Sequence, residues 1–153
     1  MDVAYVNPFI VAIRDTFNTM MGTALGMGEP LIKSEPYPTH DISGVIGLSG
    51  EARGSVTLSF PREVALKVVS KLLGVPVEEE GPELTDGIGE LANIVAGNAK
   101  KGLTQYQMSL SLPNVIVGKD HALSTPADAP TVMVPFQCDL GELSMEVTLK
   151  GKS

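Results

Sequence analysis

The chain lacks most of the features that mark a secreted, membrane-bound or nucleic-acid-binding protein. Its single cysteine, Cys138, cannot form an internal disulfide, which is typical of a reducing compartment. No apolar run approaches the length of about 18 residues that a membrane span needs, and no leader pattern opens the chain. There is no basic cluster, and the formal net charge of -7 argues against nucleic acid or an anionic membrane surface as a partner. We therefore expect a cytoplasmic protein.

Aromatic residues are also scarce, at 5% of the chain with no tryptophan, so the core must be built from Val, Leu, Ile, Met and Ala. The chain is nevertheless 43% hydrophobic and 19% charged, without a low-complexity tract, which is typical of a globular protein. A length of 153 residues is enough for one sizeable core. We predict a single domain over residues 1–153.

The common cofactor and metal signatures are missing as well. There is no glycine-rich phosphate loop. The run Gly87-x-Gly89-x-x-Ala92 matches the loose dinucleotide-binding pattern, but it follows an acidic, proline-containing loop where that pattern requires a strand. His40 and His121 are too few, and too far from the cysteine, to predict a zinc site. We expect no metal site and no cofactor bound by this chain itself.

The order of periodic segments predicts an α+β fold, a two-layer α/β sandwich. An antiparallel-rich sheet of β-hairpins is expected to be covered on one face by about three helices. Helix plus hairpin occurs twice along the chain, which suggests an internal pseudo-repeat. The predicted helices are 7–21 or 7–24, 62–73 and a third from Pro82 or a few residues later, and the predicted strands are 42–48, 55–60, 108–117 (interrupted or bounded by Pro113), 132–138 and 143–149.

Four finer expectations follow from proline content and alternation. In the strand 55–60, serine and threonine alternate with apolar residues, which predicts one face in the core and the other in water. Pro135 predicts an edge position or a bulge for its strand. The proline-rich stretch 31–40 is expected to be a connector or at most an edge strand, and 119–130 a loop long enough to contact a partner.

The third helix is the most informative stretch. Projected at 100° per residue, its apolar residues share one side and its polar residues the other. Four glycines within it each cost about 1 kcal/mol against alanine, so something is expected to approach the helix closely. The residues on the polar side are Asp86, Glu90, Asn93, Gly97, Lys100 and Thr104, and those on the apolar side are Ile88, Leu91, Ala92, Val95, Ala99 and Leu103.

Glu90 and Asn93 project side by side, and Gly97 leaves the surface one turn beyond the amide bare of side chain. One interpretation is that the pair is simply solvated and the glycines pack against a sheet. The other is that the bare surface makes room for a partner's backbone. A related pattern, Asp15-x-x-Asn18 followed by a glycine, lies on the first helix.

The pattern Glu90-Leu-x-Asn93-x-x-x-Gly97-x-x-Lys100 resembles the CheC/CheX/FliY family of chemotaxis phosphatases, and most closely its CheX type. Members remove phosphate from the aspartyl phosphate of the response regulator CheY. The resemblance implies that Asn93 holds the attacking water and that Glu90 pairs with a lysine of the regulator. It also implies that Asp86, Gly97 and Lys100 contact that partner, that Mg²⁺ belongs to the regulator, and that the chain forms a homodimer.

Two points stay open on the sequence alone. Asp15 and Asn18 match the family's motif only in part, with aspartate where the family has glutamate, so we expect one active helix and a degenerate second copy. The alternative function is a non-catalytic adaptor of the same fold, which would bind a receiver domain or a motor component without hydrolysis. A ligand-binding domain is a third, blander alternative without support from particular residues.

Overall fold

The computed structural model describes residues 4–34, 38–103, 107–118 and 130–151. After a short 3-10 turn at Ala4–Val6, these residues form three α-helices and eight strands. The helices are α1 (Asn7–Met21), α2 (Arg62–Leu73) and α3 (Pro82–Lys101). The strands are β1 (Gly26–Met27), β2 (Leu31–Lys33), β3 (Ile42–Gly50), β4 (Ala52–Phe60), β5 (Met108–Leu110), β6 (Asn114–Val117), β7 (Thr131–Cys138) and β8 (Gly141–Gly151).

The eight strands described form one sheet in which every pairing is antiparallel. Its order is β1-β7-β8-β4-β3-β5, with β2 beside β1 on β7 and β6 beside β5 on β3. The hairpins β3–β4 and β7–β8 meet in the middle, where β4 pairs with β8. This confirms the predicted fold class, and it places the two helix-and-hairpin halves side by side.

The helices cover one face of the sheet. Alternate residues of the central strands point to them, as Val56, Leu58 and Phe60 do from β4. At Gly44 of β3 an added Cβ would lie 3.1 Å from the side chains of Ile88 and Ala92, so α3 sits close to the sheet at this point. The largest side chains of this core include Phe9, Ile13, Phe17, Ile42, Ile46, Leu84 and Leu91.

The centre of the opposite face of the sheet is not in water, and the prediction of a solvated face for β4 was wrong. Ser55, Thr57 and Ser59 are 6%, 1% and 0% exposed. Residues 38–40, between β2 and β3, lie against this face at Ser59. The backbone N–H of His40 donates a 2.8 Å hydrogen bond to Ser59 Oγ, and Pro38 is buried.

An ion pair fastens the same connector to the centre of the sheet. Lys33 Nζ, at the end of β2, lies 2.5 Å from Glu146 Oε1 of β8 and also donates to Thr39 Oγ1 at 3.0 Å. The side chain of Glu146 is only 3% exposed. The described part of the connector therefore lies on this polar face beside Ser59 and Glu146.

The remaining expectations concern the edge strand β2, Pro135, the β3–β4 turn and the loop 119–130. β2 is a short edge strand, as the prolines predicted. The prediction of an edge position or a bulge for the strand of Pro135 was wrong, because β7 is the second strand from the edge and pairs with β8 in uninterrupted register. Pro135 lies next to the gap between β1 and β2, where its missing N–H breaks no ladder bond; Gly28 N–H donates to its carbonyl at 2.9 Å. β3 and β4 join tightly through Glu51, because Gly50 adopts a φ of 115°. The predicted loop 119–130 lies, apart from Pro130, outside the described residues.

Candidate active site on helix α3

Helix α3 begins with Pro82 behind Gly81, one of the two starts that the sequence predicted. Gly81 is the N-cap residue, and no side chain caps the N-terminus of the helix. Acidic Glu83 in the first turn and two lysines in the last turn complement the helix dipole. With 20 residues, α3 is the longest helix described, and it packs against α1, α2 and the sheet.

The predicted two sides of α3 are confirmed for the described residues; Thr104, predicted on the polar side, lies outside them. All six residues of the apolar side are buried, at 1% exposure or less. The polar side forms a strip along the helix, which we call the α3 stripe, in which every side chain is exposed and Gly97 is half-buried. The α3 stripe consists of Asp86, Glu90, Asn93, Gly97 and Lys100.

Glu90 and Asn93 are neighbours at the middle of the α3 stripe. Residues three apart on a helix have Cβ atoms about 5–6 Å from each other, so the carboxylate and the amide can act on one bound group. Within the described part of the chain, no hydrogen bond or ion pair engages either side chain. Both are therefore available to a partner while the helix beneath them is held by its buried face.

Three of the four glycines predicted within the helix lie in α3, and their surroundings differ; the fourth, Gly102, follows the helix as its C-cap. A Cβ on Gly87 would come 2.6 Å from Val69 Cγ1, so this glycine lets α2 approach. At Gly89 a Cβ would meet Pro113 Cγ at 3.4 Å, an ordinary contact. At Gly97 an added Cβ would have nothing within 4 Å. Packing within the chain explains Gly87, but it gives no reason for Gly97.

Two different surfaces flank the α3 stripe. On one side, the connection between β5 and β6 lies against Gly89 through Pro113, and the neighbouring Leu112 is 87% exposed. On the other side, α1 packs against α3, where Asn98 Nδ2 donates to Thr16 Oγ1 at 3.4 Å. Leu112 was not predicted as a surface feature, because an apolar residue in a short connection shows no periodicity.

The second copy of the motif does not join the α3 stripe. Asp15 and Asn18 are exposed, but they lie on a separate helix, α1. The glycine that follows them, Gly22, has a φ of 62° and ends the helix, with its N–H donating to Asn18 O at 3.1 Å. Gly97, in contrast, lies inside its helix. The two patterns thus share spacing but not local structure.

Metal-binding and membrane-spanning features are absent from the described ranges. Among residues 4–34, 38–103, 107–118 and 130–151, no group of three or more His, Cys, Asp or Glu side chains is arranged to hold a metal ion. In the same part of the chain, no helix is both long enough and apolar enough to cross a bilayer.

A helix laid on an antiparallel sheet, with Glu90 and Asn93 exposed one turn apart, is the arrangement expected from the resemblance to the chemotaxis phosphatases. Comparison with known proteins agrees. Residues 42–137 match the model of the family described as chemotaxis phosphatase CheX. The chain is also 33% identical to the CheY-P phosphatase CheX of Thermotoga maritima over 123 residues. This match covers 78% of this chain and 79% of that protein. The chain belongs to the CheX family.

Solved structures give the same picture. A CheC-like superfamily protein from a Shewanella species matches with a TM-score of 0.87 and 32% identity, over 99% of this chain and 100% of that one. The structure of the CheX–CheY complex with BeF3 and Mg²⁺ from Borrelia burgdorferi matches with a TM-score of 0.79 over 97% and 99% of the two chains. At 24% identity the latter match shows the fold alone.

Proposed function

We propose that this protein is a phosphatase that hydrolyses the aspartyl phosphate of a CheY-like response regulator. The observation that carries the proposal is the exposed, unengaged pair of Glu90 and Asn93 on a firmly packed helix, in a chain of the CheX family. The curated relative at 33% identity is a CheY-P phosphatase. The adaptor alternative gives no reason for an exposed amide one turn from an exposed carboxylate.

The chemistry needs little from the phosphatase. An aspartyl phosphate is a reactive acyl phosphate, and hydrolysis requires a water held in line with phosphorus. The amide oxygen of Asn93 can accept a hydrogen bond from that water and orient it without acting as a base. We assign the Mg²⁺ of the reaction to the regulator; the Borrelia burgdorferi complex contains Mg²⁺ together with CheY.

Glu90 has a binding role in this proposal. Its carboxylate would form a charge-assisted hydrogen bond with a lysine beside the regulator's phosphorylation site, which fixes the register of the two proteins. Asp86 and Lys100 would contact the regulator at the two ends of the α3 stripe. Gly97 would let the regulator's backbone approach, since an added side chain there would stand in open space.

The remaining elements of the proposal concern the assembly. We expect one active helix, with Asp15 and Asn18 as a degenerate copy, because aspartate is shorter than glutamate and Gly22 ends its helix. We also expect a single domain over residues 1–153, a homodimer and a cytoplasmic location. No nucleic acid or membrane is expected as a partner.

Two alanine variants separate binding from hydrolysis. Asn93→Ala should bind a BeF3-activated CheY-like receiver within about threefold of the wild type while losing about a hundredfold or more in hydrolysis rate, the range for loss of a positioning or polar catalytic group. Glu90→Ala should lose both binding and hydrolysis. Asn18→Ala is the matched control, an exposed asparagine on α1. If Asn93→Ala hydrolyses the phosphorylated receiver at the wild-type rate, the assignment of Asn93 is wrong.

A further inference from the structure

Leu112 is an exposed apolar residue that has no role in the proposed hydrolysis. It lies in the connection between β5 and β6, and at 87% exposure it is the most exposed large apolar side chain among the described residues. Single apolar residues on a surface are ordinary and need no explanation by themselves. The position and the rigidity of Leu112 are what single it out.

The connection that carries Leu112 is hydrogen-bonded to β3 through the backbone and the side chain of Ser111. Ser111 N–H donates to Gly47 O at 2.9 Å, and Gly47 N–H donates to Ser111 Oγ at 2.8 Å. The Ser111 hydroxyl in turn donates to Leu112 O at 2.9 Å. Ser111 is thereby fixed on β3 and holds the carbonyl of Leu112, so the leucine side chain can be buried by a partner at little cost in backbone entropy.

The same connection lies along one flank of the α3 stripe. Pro113 Cγ comes within 3.4 Å of the Cβ position of Gly89. Asn93 is four residues beyond Gly89, which places it one turn along the helix and about 40° around it. A partner that covers Asn93 and Glu90 on this side therefore also approaches the connection that carries Leu112 and Pro113.

We propose that Leu112 is a docking residue for the phosphorylated receiver domain. Its side chain would enter an apolar depression on the receiver beside the aspartyl phosphate, while the α3 stripe supplies the polar contacts. An apolar anchor next to a small polar set is the usual composition of a compact interface. This inference rests on the proposed phosphatase function, and it adds a contact that sets affinity without touching the reacting atoms.

The test compares Leu112→Ser with Leu112→Met. For the serine variant, we expect the dissociation constant for a BeF3-activated CheY-like receiver to rise about tenfold, which corresponds to about 1.4 kcal/mol. KM for the phosphorylated receiver should rise by the same factor with kcat unchanged, because uniform binding is lost. The methionine variant should bind like the wild type. The unfolding temperature of both variants should not move, since the side chain is exposed.

Leu31→Ser is the matched control, because Leu31 is a 47% exposed leucine in β2 at the opposite edge of the sheet. It should leave KM unchanged. If Leu112→Ser binds the receiver like the wild type, or if its loss is in kcat alone, docking by Leu112 is refuted. If the wild type binds the receiver without hydrolysing it and Leu112→Ser still weakens binding, the phosphatase proposal fails and the docking residue stands. Absence of wild-type binding to every tested receiver overturns both.

Discussion

Replacement of Gly97 by alanine should make the protein more stable and less active. Gly97 lies inside α3, where glycine is about 0.8–1.0 kcal/mol less favourable than alanine. An added Cβ would have nothing within 4 Å, so no steric cost opposes the gain in helix propensity. The free energy of unfolding of Gly97→Ala should therefore rise by about 0.5–1 kcal/mol, which raises the unfolding temperature by about 2–3 °C for a chain of this size.

The loss of activity in Gly97→Ala should appear as slower hydrolysis of the phosphorylated receiver. In the proposed complex, the regulator's backbone lies over Gly97, one turn from Asn93, and a methyl group there would hold the two surfaces apart. A displacement of about 1 Å at a reacting centre can cost about a hundredfold in rate, so we expect a loss of at least about tenfold for Gly97→Ala. Gly97→Leu should lose more, yet it should stay more stable than the wild type because leucine is a good helix former.

Urea unfolding and phosphate release measured on the same preparations would check both halves of this prediction. A rise in stability with wild-type turnover would show that the partner does not contact Gly97. A fall in stability would show that the space around Gly97 is not open. Either result would refute the proposal that this glycine makes room for the regulator's backbone.

Three further substitutions test the structure and the single active helix. Gly87→Ala should lower the free energy of unfolding by about 1–3 kcal/mol, because its Cβ would meet Val69 Cγ1 at 2.6 Å, and Val69→Ala should relieve most of that loss in a double-mutant cycle. Glu146→Gln should cost about 3 kcal/mol in urea unfolding, since it removes the carboxylate that neutralises the largely buried Lys33. Asn18→Ala should leave the rate of phosphate release within about twofold of the wild type; a large loss would indicate a second active helix.

The sequence predicted α3 well because a helix that buries one side on a core has a strong 3.6-residue period, and this period is local. Ile88 and Leu91 therefore projected to the side that the structure buries, and Glu90 and Asn93 to the exposed side. The spacing of that exposed pair carried the family resemblance. Local periodicity thus located the candidate site as well as the helix.

The far face of the sheet was mispredicted for a physical reason. Alternating serine and threonine look like a solvated face, but Thr57 and Ser59 are buried, and Ser59 is hydrogen-bonded to a connector that is distant in sequence. Whether a polar face meets water or another layer depends on tertiary contacts such as the bond from Lys33 to Glu146, which no local pattern contains. Leu112 was not predicted as a surface feature for the same reason, because its position beside the α3 stripe is set by tertiary contacts.

The role of Asn93 in hydrolysis is tested most directly by multiple-turnover phosphate release. A CheY-like receiver would be phosphorylated in excess over this protein, and inorganic phosphate would be followed with the wild type, with Asn93→Ala and without either. We expect accelerated release by the wild type, with many turnovers per protein, and decay at the receiver's own rate with Asn93→Ala. Equal acceleration by both proteins would contradict the role of Asn93, and no acceleration despite binding would identify a non-catalytic adaptor.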